Sequence, residues 1–128
     1  MSYNICFLDR ATLRHDIVIR RPGFEHEWIE YEHTTDEQTA DRIAGMHIII
    51  TNKVVINRTL IENNPDLKMI AVAATGVDVI DLDACSARNI TVSNIRNYAL
   101  HTVPEHVMGM ILTLRRQVLQ YRQQVING

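Results

Sequence analysis

The sequence predicts an α/β domain in which a five-stranded parallel sheet is covered by helices on both faces. Short apolar, β-rich runs alternate with helix-like segments, a rhythm typical of parallel sheets because each crossover between parallel strands needs a helix. The 128 residues fit one domain but not two, and 46% of them are apolar, which is enough to build one core. The two cysteines exclude the disulfide framework of a small secreted protein.

Five strands are predicted, each a short apolar run bounded by charges or turn residues. The second run alternates apolar and polar side chains, as a strand near a sheet edge does, and the third is continuously apolar, as a central strand is. The predicted strands are residues 5–8, 28–33, 47–51, 67–74 and 90–93.

Helices are predicted between the strands from their capping residues. Thr34 or Thr35 caps a helix with an acidic first turn that ends at Gly45. Asn57 caps a helix that ends before Pro65, and Asn89 is a left-handed cap that ends the next one. The predicted helices are a short one within residues 10–20 and three over residues 35–45, 58–63 and 82–88.

The C-terminal segment predicts one long helix running from residue 102 toward Ile126. Thr102 and Glu105 have the spacing of a capping box, and Pro104 suits a first turn. Two apolar stripes predict two packing partners: either the helix caps the sheet, or it bridges to a second domain. The first stripe is Val107, Met110, Ile111, Leu114, Val118, Tyr121 and Val125, and the second is Met108, Leu112, Leu119 and Ile126.

The charge balance excludes two classes of partner. There are 13 Lys and Arg residues against 15 Asp and Glu, which leaves no broad cationic surface for nucleic acid or anionic lipid. Apolar runs are interrupted well before the roughly 20 residues that a bilayer span needs. Residues 1–9 lack the basic start of a signal peptide. We therefore expect a cytoplasmic protein with no nucleic-acid or membrane partner.

Motifs for phosphate and metal binding are missing from the sequence. The five glycines, at positions 23, 45, 76, 109 and 128, cannot form G-x-G-x-x-G or a P-loop. Cys6 and Cys85 form no C-x-x-C pair, and His101 and His106 fall on different helical faces. We therefore expect neither a dinucleotide fingerprint nor a metal site in this chain.

The loops at the carboxyl ends of the strands form the remaining candidate site, because open α/β sheets bind ligands there. Gly76 leaves the backbone N–H groups of residues 75–77 unobstructed, so they are able to bind a carboxylate as an anion nest. Lys53 adds an ammonium from the neighbouring loop. The alternatives are an ordinary turn at Gly76 and a solvated surface lysine.

Residues 66–78 and 81–94 resemble the N-terminal domain of the D-2-hydroxyacid dehydrogenases. The first segment reads DLKMIAVAATGVD, and TVPEH at 102–106 with the later Arg115-Arg116 is similar to the family's Ser/Thr-Val-Ala-Glu-His helix. Within the family, Thr51-Asn52-Lys53 and the Ala-Thr-Gly turn are most similar to the glycerate dehydrogenase, or hydroxypyruvate reductase, branch. The resemblance covers residues 46–120 well and the first 45 by pattern only.

This resemblance implies a flavodoxin-like substrate-binding domain over residues 1–100 and, over 101–128, a helix bridging to an NAD(P)-binding Rossmann domain absent from this chain. The carboxylate of a small 2-oxo or 2-hydroxy acid is then bound by Lys53, Ala74, Thr75 and Gly76, while Thr102 approaches NAD or NADP. The family's catalytic Arg, Glu and His lie in the later domain, so no catalytic residue is expected here, and Glu105 and His106 are not that pair.

The sequence departs from the family pattern in two places. Relatives commonly have Asn-x-Pro-x-Tyr-Gly where residues 94–99 read NIRNYA, which loses a Pro and a Gly. Pro104 stands where Ala is usual. The shape of this loop and the preferred substrate are therefore expected to differ within the family.

Two other functions are compatible with the α/β class. A receiver-like signalling domain needs a phosphorylatable Asp at the end of the third strand, where this chain has Thr51-Asn52. A stand-alone interaction domain would dimerise through the C-terminal helix, because each exposed Leu, Met or Val costs about 1.5–3 kcal/mol. Whether or not the chain is part of a dehydrogenase, we predict self-association to a homodimer through Val107, Met110, Leu114 and Val118.

Overall fold

The computed structural model describes residues 2–128 and confirms the predicted α/β class. One sheet contains five parallel strands in the order β2-β1-β3-β4-β5, the order of flavodoxin-like sheets. The strands are β1 Tyr3–Phe7, β2 His26–Glu30, β3 Ile48–Thr51, β4 Met69–Val72 and β5 Thr91–Asn94. As predicted, β2 lies at an edge and β3 in the centre. The chain divides into two compact units, the second spanning Asn97–Gly128.

The connections of the first unit contain three helices, which are α1 Asp36–Ile43, α2 Arg58–Glu62 and α3 Leu82–Ala87. Their predicted caps are confirmed. The Asn57 side chain accepts a hydrogen bond from the Leu60 N–H at 3.0 Å, and the N–H of Thr35, the N-cap of α1, donates to the Gln38 side chain at 3.2 Å. Asn89 has a left-handed backbone with φ 55°. The short helix predicted within residues 10–20 is a single 3₁₀ turn at Arg10–Thr12.

A row of side chains crosses the middle of the sheet and forms the centre of the core. The register places Ile29, Cys6, Ile49, Ile70 and Val92 side by side on the five strands. Cys6, Ile49 and Ile70 are 0% exposed, whereas Ile29 on the edge strand is 41% exposed. Burial therefore changes sharply along one row of the same sheet.

Both cysteine thiols are buried and unpaired. Burial raises the pKa of Cys6 to about 12. The pKa of Cys85 is raised as well, first by burial and then by the neighbouring Asp81 carboxylate. At neutral pH both thiols are protonated, so they act as packing groups rather than nucleophiles.

The second unit corrects the prediction of one long helix. It contains two helices, α4 Thr102–Arg115 and α5 Val118–Asn127. Gln117 separates them with φ 51° and ψ 37°, a left-handed conformation that ends α4 and begins α5. The break lacks the Gly, Asn or Pro that marks most helix ends, and the apolar period continues across it, so the sequence predicts no interruption there.

The predicted capping box at Thr102 and Glu105 is wrong. The N-cap of α4 is His101, which makes no side-chain capping hydrogen bond, and Thr102 is already the first helical residue. Turn residues 98–101 precede α4 directly, and the Val103 N–H donates to the Ala99 carbonyl at 3.3 Å. Thr102 is therefore one position too far into the helix to cap it.

The apolar residues of the second unit are exposed. Neither α4 nor α5 contains a buried residue, and Leu114 is 72% exposed. Between the two helices lies an apolar groove of about 670 Å³, lined by Thr102, Glu105, His106, Gly109, Met110, Thr113, Leu114 and Leu119. Across residues 2–128, a bilayer-spanning helix of sufficient length and apolar character is not found.

Candidate ligand-binding site

The candidate site lies at the carboxyl ends of β3 and β4, which are neighbours at the centre of the sheet. Thr51 at the end of β3 pairs with Val72 at the end of β4, and the Thr51 carbonyl accepts a hydrogen bond from the Ala73 N–H at 2.8 Å. Lys53 and Ala74 each follow their strand's last residue by two positions, so the two loops leave the sheet side by side.

The turn after β4 presents a row of open backbone donors. Within residues 2–128, the N–H groups of residues 74–77 donate to no protein acceptor. Three of their four carbonyls are bound. That of Ala74 accepts from the Ile95 N–H at 3.0 Å and that of Val77 from the Ile80 N–H at 3.0 Å, and that of Thr75 accepts from the Asn94 side chain at 2.6 Å. Fixed carbonyls and free N–H groups are the arrangement that binds an anion.

The turn leaves little space for a side chain at Gly76, although the backbone angle there is an ordinary one. Its φ lies outside the left-handed region. A Cβ atom built at Gly76 would lie 2.6 Å from Oδ1 of Asp78, closer than a real contact allows. Because the Asp78 side chain is exposed, it is able to move, so a larger residue at 76 would disturb the turn more than the core.

The loop after β3 already holds an internal carboxylate. Asp9, 4% exposed at the end of β1, accepts hydrogen bonds from the Asn52 N–H at 2.9 and 3.0 Å and from the Lys53 N–H at 2.6 Å. The loops after β3 and β4 therefore both carry consecutive backbone N–H donors. Those after β3 are bound by Asp9, whereas those after β4 have no acceptor in the described residues. The sequence does not predict this contact, because it depends on β1 lying beside β3.

Of the two lysines in the chain, Lys53 is the one at the carboxyl ends of the strands. It is exposed, and its ammonium forms no ion pair with any residue from 2 to 128. The chain's other lysine, Lys68, precedes β4 at the opposite edge, where its ammonium lies 5.1 Å from the centre of the Tyr3 ring. Lys53 and residues 74–76 therefore lie in the loops of neighbouring strand ends, and their predicted role in binding a carboxylate stays a prediction.

Thr102, the residue predicted to approach a cofactor, belongs to the second unit. It is exposed as the first residue of α4. Glu105 and His106, one turn further along, line the apolar groove with it. The cofactor role of Thr102 stays a prediction.

The all-parallel five-stranded sheet defines a domain of the doubly wound α/β class, whose members bind ligands outside the carboxyl ends of their strands. The resemblance predicted from residues 66–94 is confirmed by comparison with known proteins. The chain belongs to the D-isomer specific 2-hydroxyacid dehydrogenase family, whose catalytic-domain model matches residues 5–126.

Individual relatives agree with this family. The chain is 47% identical, over its full length and 40% of the relative's, to glycerate dehydrogenase of Methylorubrum extorquens. It is 31% identical to hydroxypyruvate reductase of Blautia hydrogenotrophica, over 80% of this chain and 33% of that one. A solved acyclic imino acid reductase, Bsp5, in complex with NADPH and D-Arg has the same fold, with a TM-score of 0.72 and 22% identity over 98% of this chain and 41% of that chain. The chain thus spans between about a third and two fifths of the length of these proteins.

Proposed function

We propose that this chain is the substrate-binding part of an NAD(P)-dependent dehydrogenase that interconverts a small 2-oxo acid, of the hydroxypyruvate or glyoxylate type, and its D-2-hydroxy acid. The observation that carries this proposal is the row of open N–H groups at residues 74–77 beside Lys53. The similarity to glycerate dehydrogenase and hydroxypyruvate reductase supports this substrate class.

The chemistry that this site supplies is orientation of the substrate. Backbone N–H groups of Ala74, Thr75 and Gly76 donate to one end of the carboxylate, and such charge-assisted hydrogen bonds are stronger than neutral ones. The Lys53 ammonium balances the negative charge from the adjacent strand end. A substrate held by its carboxylate presents its C2 carbon in a fixed direction, which is the contribution of binding groups to a reaction between two bound molecules.

The residues of this chain do not by themselves fit a nicotinamide cofactor. Its glycines lack the spacing of a dinucleotide-binding turn, and Thr102 is the only residue for which a cofactor contact is predicted. We infer that residues 1–100 bind substrate, that residues 101–128 bridge to a second domain, and that this second domain holds NAD or NADP. In glycerate dehydrogenase of Methylorubrum extorquens the matched region covers 40% of the protein, and the remaining length leaves room for such a domain.

D-Glycerate is expected to bind to the turn after β4 in the purified 128-residue chain. In a titration followed by ¹⁵N NMR, the amide signals of residues 74–77 should shift together. Lys53→Met should raise the dissociation constant by up to about fivefold, the range of an exposed ion pair. Lys68→Met is the matched control, because it removes the same charge from the opposite edge of the sheet and should leave the affinity unchanged.

Two results of this titration would contradict the proposal. One is the absence of saturable shifts at residues 74–77 while other amides respond. The other is equal weakening by the two lysine substitutions, which would show an effect of net charge rather than a site.

The chain alone is expected to have no dehydrogenase activity, because we place the catalytic groups outside it. Hydroxypyruvate and NADH, or NADPH, mixed with the chain should show no change in absorbance at the nicotinamide band above the rate without protein. Measurable turnover that a purified inactive control protein lacks would show that the catalytic residues lie within residues 1–128.

We further propose that the chain forms a homodimer through the exposed apolar residues of the second unit. Val107, Met110 and Leu114 follow one another along one side of α4, and all three are exposed. Val118, predicted as part of the same stripe, lies beyond the break at Gln117 on α5. Burying such side chains in a partner removes their contact with water and stabilises association.

A further inference from the structure

We infer that Asp9 is a positioning residue for carboxylate binding, acting through the loop after β3. This inference rests on the proposed function, since it concerns how Lys53 is held beside the turn at residues 74–77. The observation behind it is the contact of one buried carboxylate with two consecutive backbone N–H groups.

The Asp9 contacts fix the backbone at the point where Lys53 leaves the sheet. Asp9 as a whole residue is 4% exposed, so water has little access to replace these hydrogen bonds. Both oxygens are used: Oδ1 accepts from Asn52, and Oδ2 accepts from Asn52 and from Lys53, the last at 2.6 Å. A hydrogen bond from the Leu8 N–H to the Ile50 carbonyl, at 2.9 Å, holds the same two strands together just before the loop.

The ends of the loop are held by Thr51 and its middle by Asp9. The Thr51 Oγ1 accepts from the Val54 N–H at 3.0 Å and donates to the Val54 carbonyl at 3.2 Å. The Asn52 and Lys53 N–H groups between them have no acceptor other than Asp9 within residues 2–128. Without the carboxylate both donors would turn toward solvent, and the loop would sample several conformations. The Lys53 ammonium would then spend less time beside the turn.

The negative charge of Asp9 and its hydrogen bonds to the loop predict opposite effects on carboxylate binding. As a negative group near an anion site, Asp9 by itself opposes carboxylate binding, so neutralising it would strengthen binding if charge were its only effect. If it acts by holding the loop, neutralising it weakens binding instead. The sign of the change therefore separates the two roles.

The test is the affinity of the 128-residue chain for D-glycerate, measured by the amide shifts of residues 74–77. Asp9→Asn should raise the dissociation constant about threefold to tenfold. The amide has only one acceptor oxygen where the carboxylate has two, so fewer hydrogen bonds hold the loop. Asp16→Asn is the matched control: it removes the same charge from an exposed residue paired with Arg14 and should change nothing. An unchanged or tighter affinity in Asp9→Asn overturns the inference.

A double-mutant cycle with Lys53 shows whether Asp9 acts through that residue. In the Lys53→Met background, Asp9→Asn should cause little further weakening, because the group that Asp9 positions is already gone. Full additivity of the two effects overturns the inference. A general loss of structure would weaken both backgrounds equally, so this readout separates positioning from a merely structural role.

Hydrogen exchange in the unmodified chain tests the contact even if Asp9→Asn fails to fold. The Asn52 and Lys53 amides should exchange much more slowly than those of Thr75 and Gly76, which have no acceptor in the protein. Similar exchange rates overturn the inference. If the wild-type chain does not bind D-glycerate at all, the proposed function fails with it, whereas binding that is indifferent to Asp9 overturns only the positioning role.

Discussion

Replacing Ile49 by alanine is expected to lower the free energy of unfolding of the first unit by about 2–5 kcal/mol. Ile49 is 0% exposed at the centre of the sheet, between Cys6 on β1 and Ile70 on β4. Its removal deletes buried methyl groups and leaves a cavity that neighbours from two strands are unable to fill. Urea unfolding followed by the fluorescence of Trp28, the chain's single tryptophan, measures this loss in the unit that contains the sheet.

Ile29→Ala is the matched control for this substitution. Ile29 lies in the same row, on the other side of Cys6, but is 41% exposed on the edge strand. The same change of side chain should therefore cost about 1 kcal/mol or less. Equal losses at Ile29 and Ile49 would contradict the strand order β2-β1-β3, since that order alone makes one residue peripheral and the other central.

Leu114→Glu is expected to convert the proposed homodimer into a monomer. A two-fold interface contains each residue twice, so one substitution places two charges in an apolar contact and removes two leucines worth about 1.5–3 kcal/mol each. The dissociation constant should rise at least about a hundredfold. Analytical ultracentrifugation over a range of concentrations checks this.

Leu112→Glu provides the control from the other side of α4. Leu112 is 52% exposed and belongs to the second apolar stripe, so its replacement should affect self-association much less. Equal effects of the two substitutions would contradict the assignment of the interface to the face that carries Val107, Met110 and Leu114. A wild-type chain that is monomeric at tens of micromolar, about the range of ordinary weak interfaces, would contradict the dimer itself.

The elements of the first unit were predictable because their signals are local. Thr35, Asn57 and Asn89 mark helix ends with side chains or backbone angles that act within a few residues. The central strand is marked by a run of isoleucines. Strand ends differ from the prediction by up to three residues. Hydrogen-bonded pairing ends where the partner strand turns away, and the sequence of one strand does not contain that information.

The features that the sequence did not predict depend on contacts between residues far apart in the chain, or on a residue whose usual conformational preference is not followed. The bond between Asp9 and Lys53 spans 44 positions and exists only because β1 and β3 are neighbours. Gln117 interrupts the C-terminal helix although glutamine favours helices. Free N–H groups at residues 75–77 were predicted from Gly76, but the bonds that fix the carbonyls of Ala74 and Thr75 come from the end of β5 and the residue after it.

The parallel arrangement of the sheet has a consequence for how the chain folds. Since all five strands run in one direction, no two of them can meet through a tight hairpin, and every pairing must first close a connection long enough to return to the same end. The chain loses conformational entropy when these loops close, before it gains the contacts that offset this loss. β1 is able to pair with β2 first, but it gains its inner neighbour only after synthesis has passed β3, so one edge of this apolar strand stays unpaired for that interval.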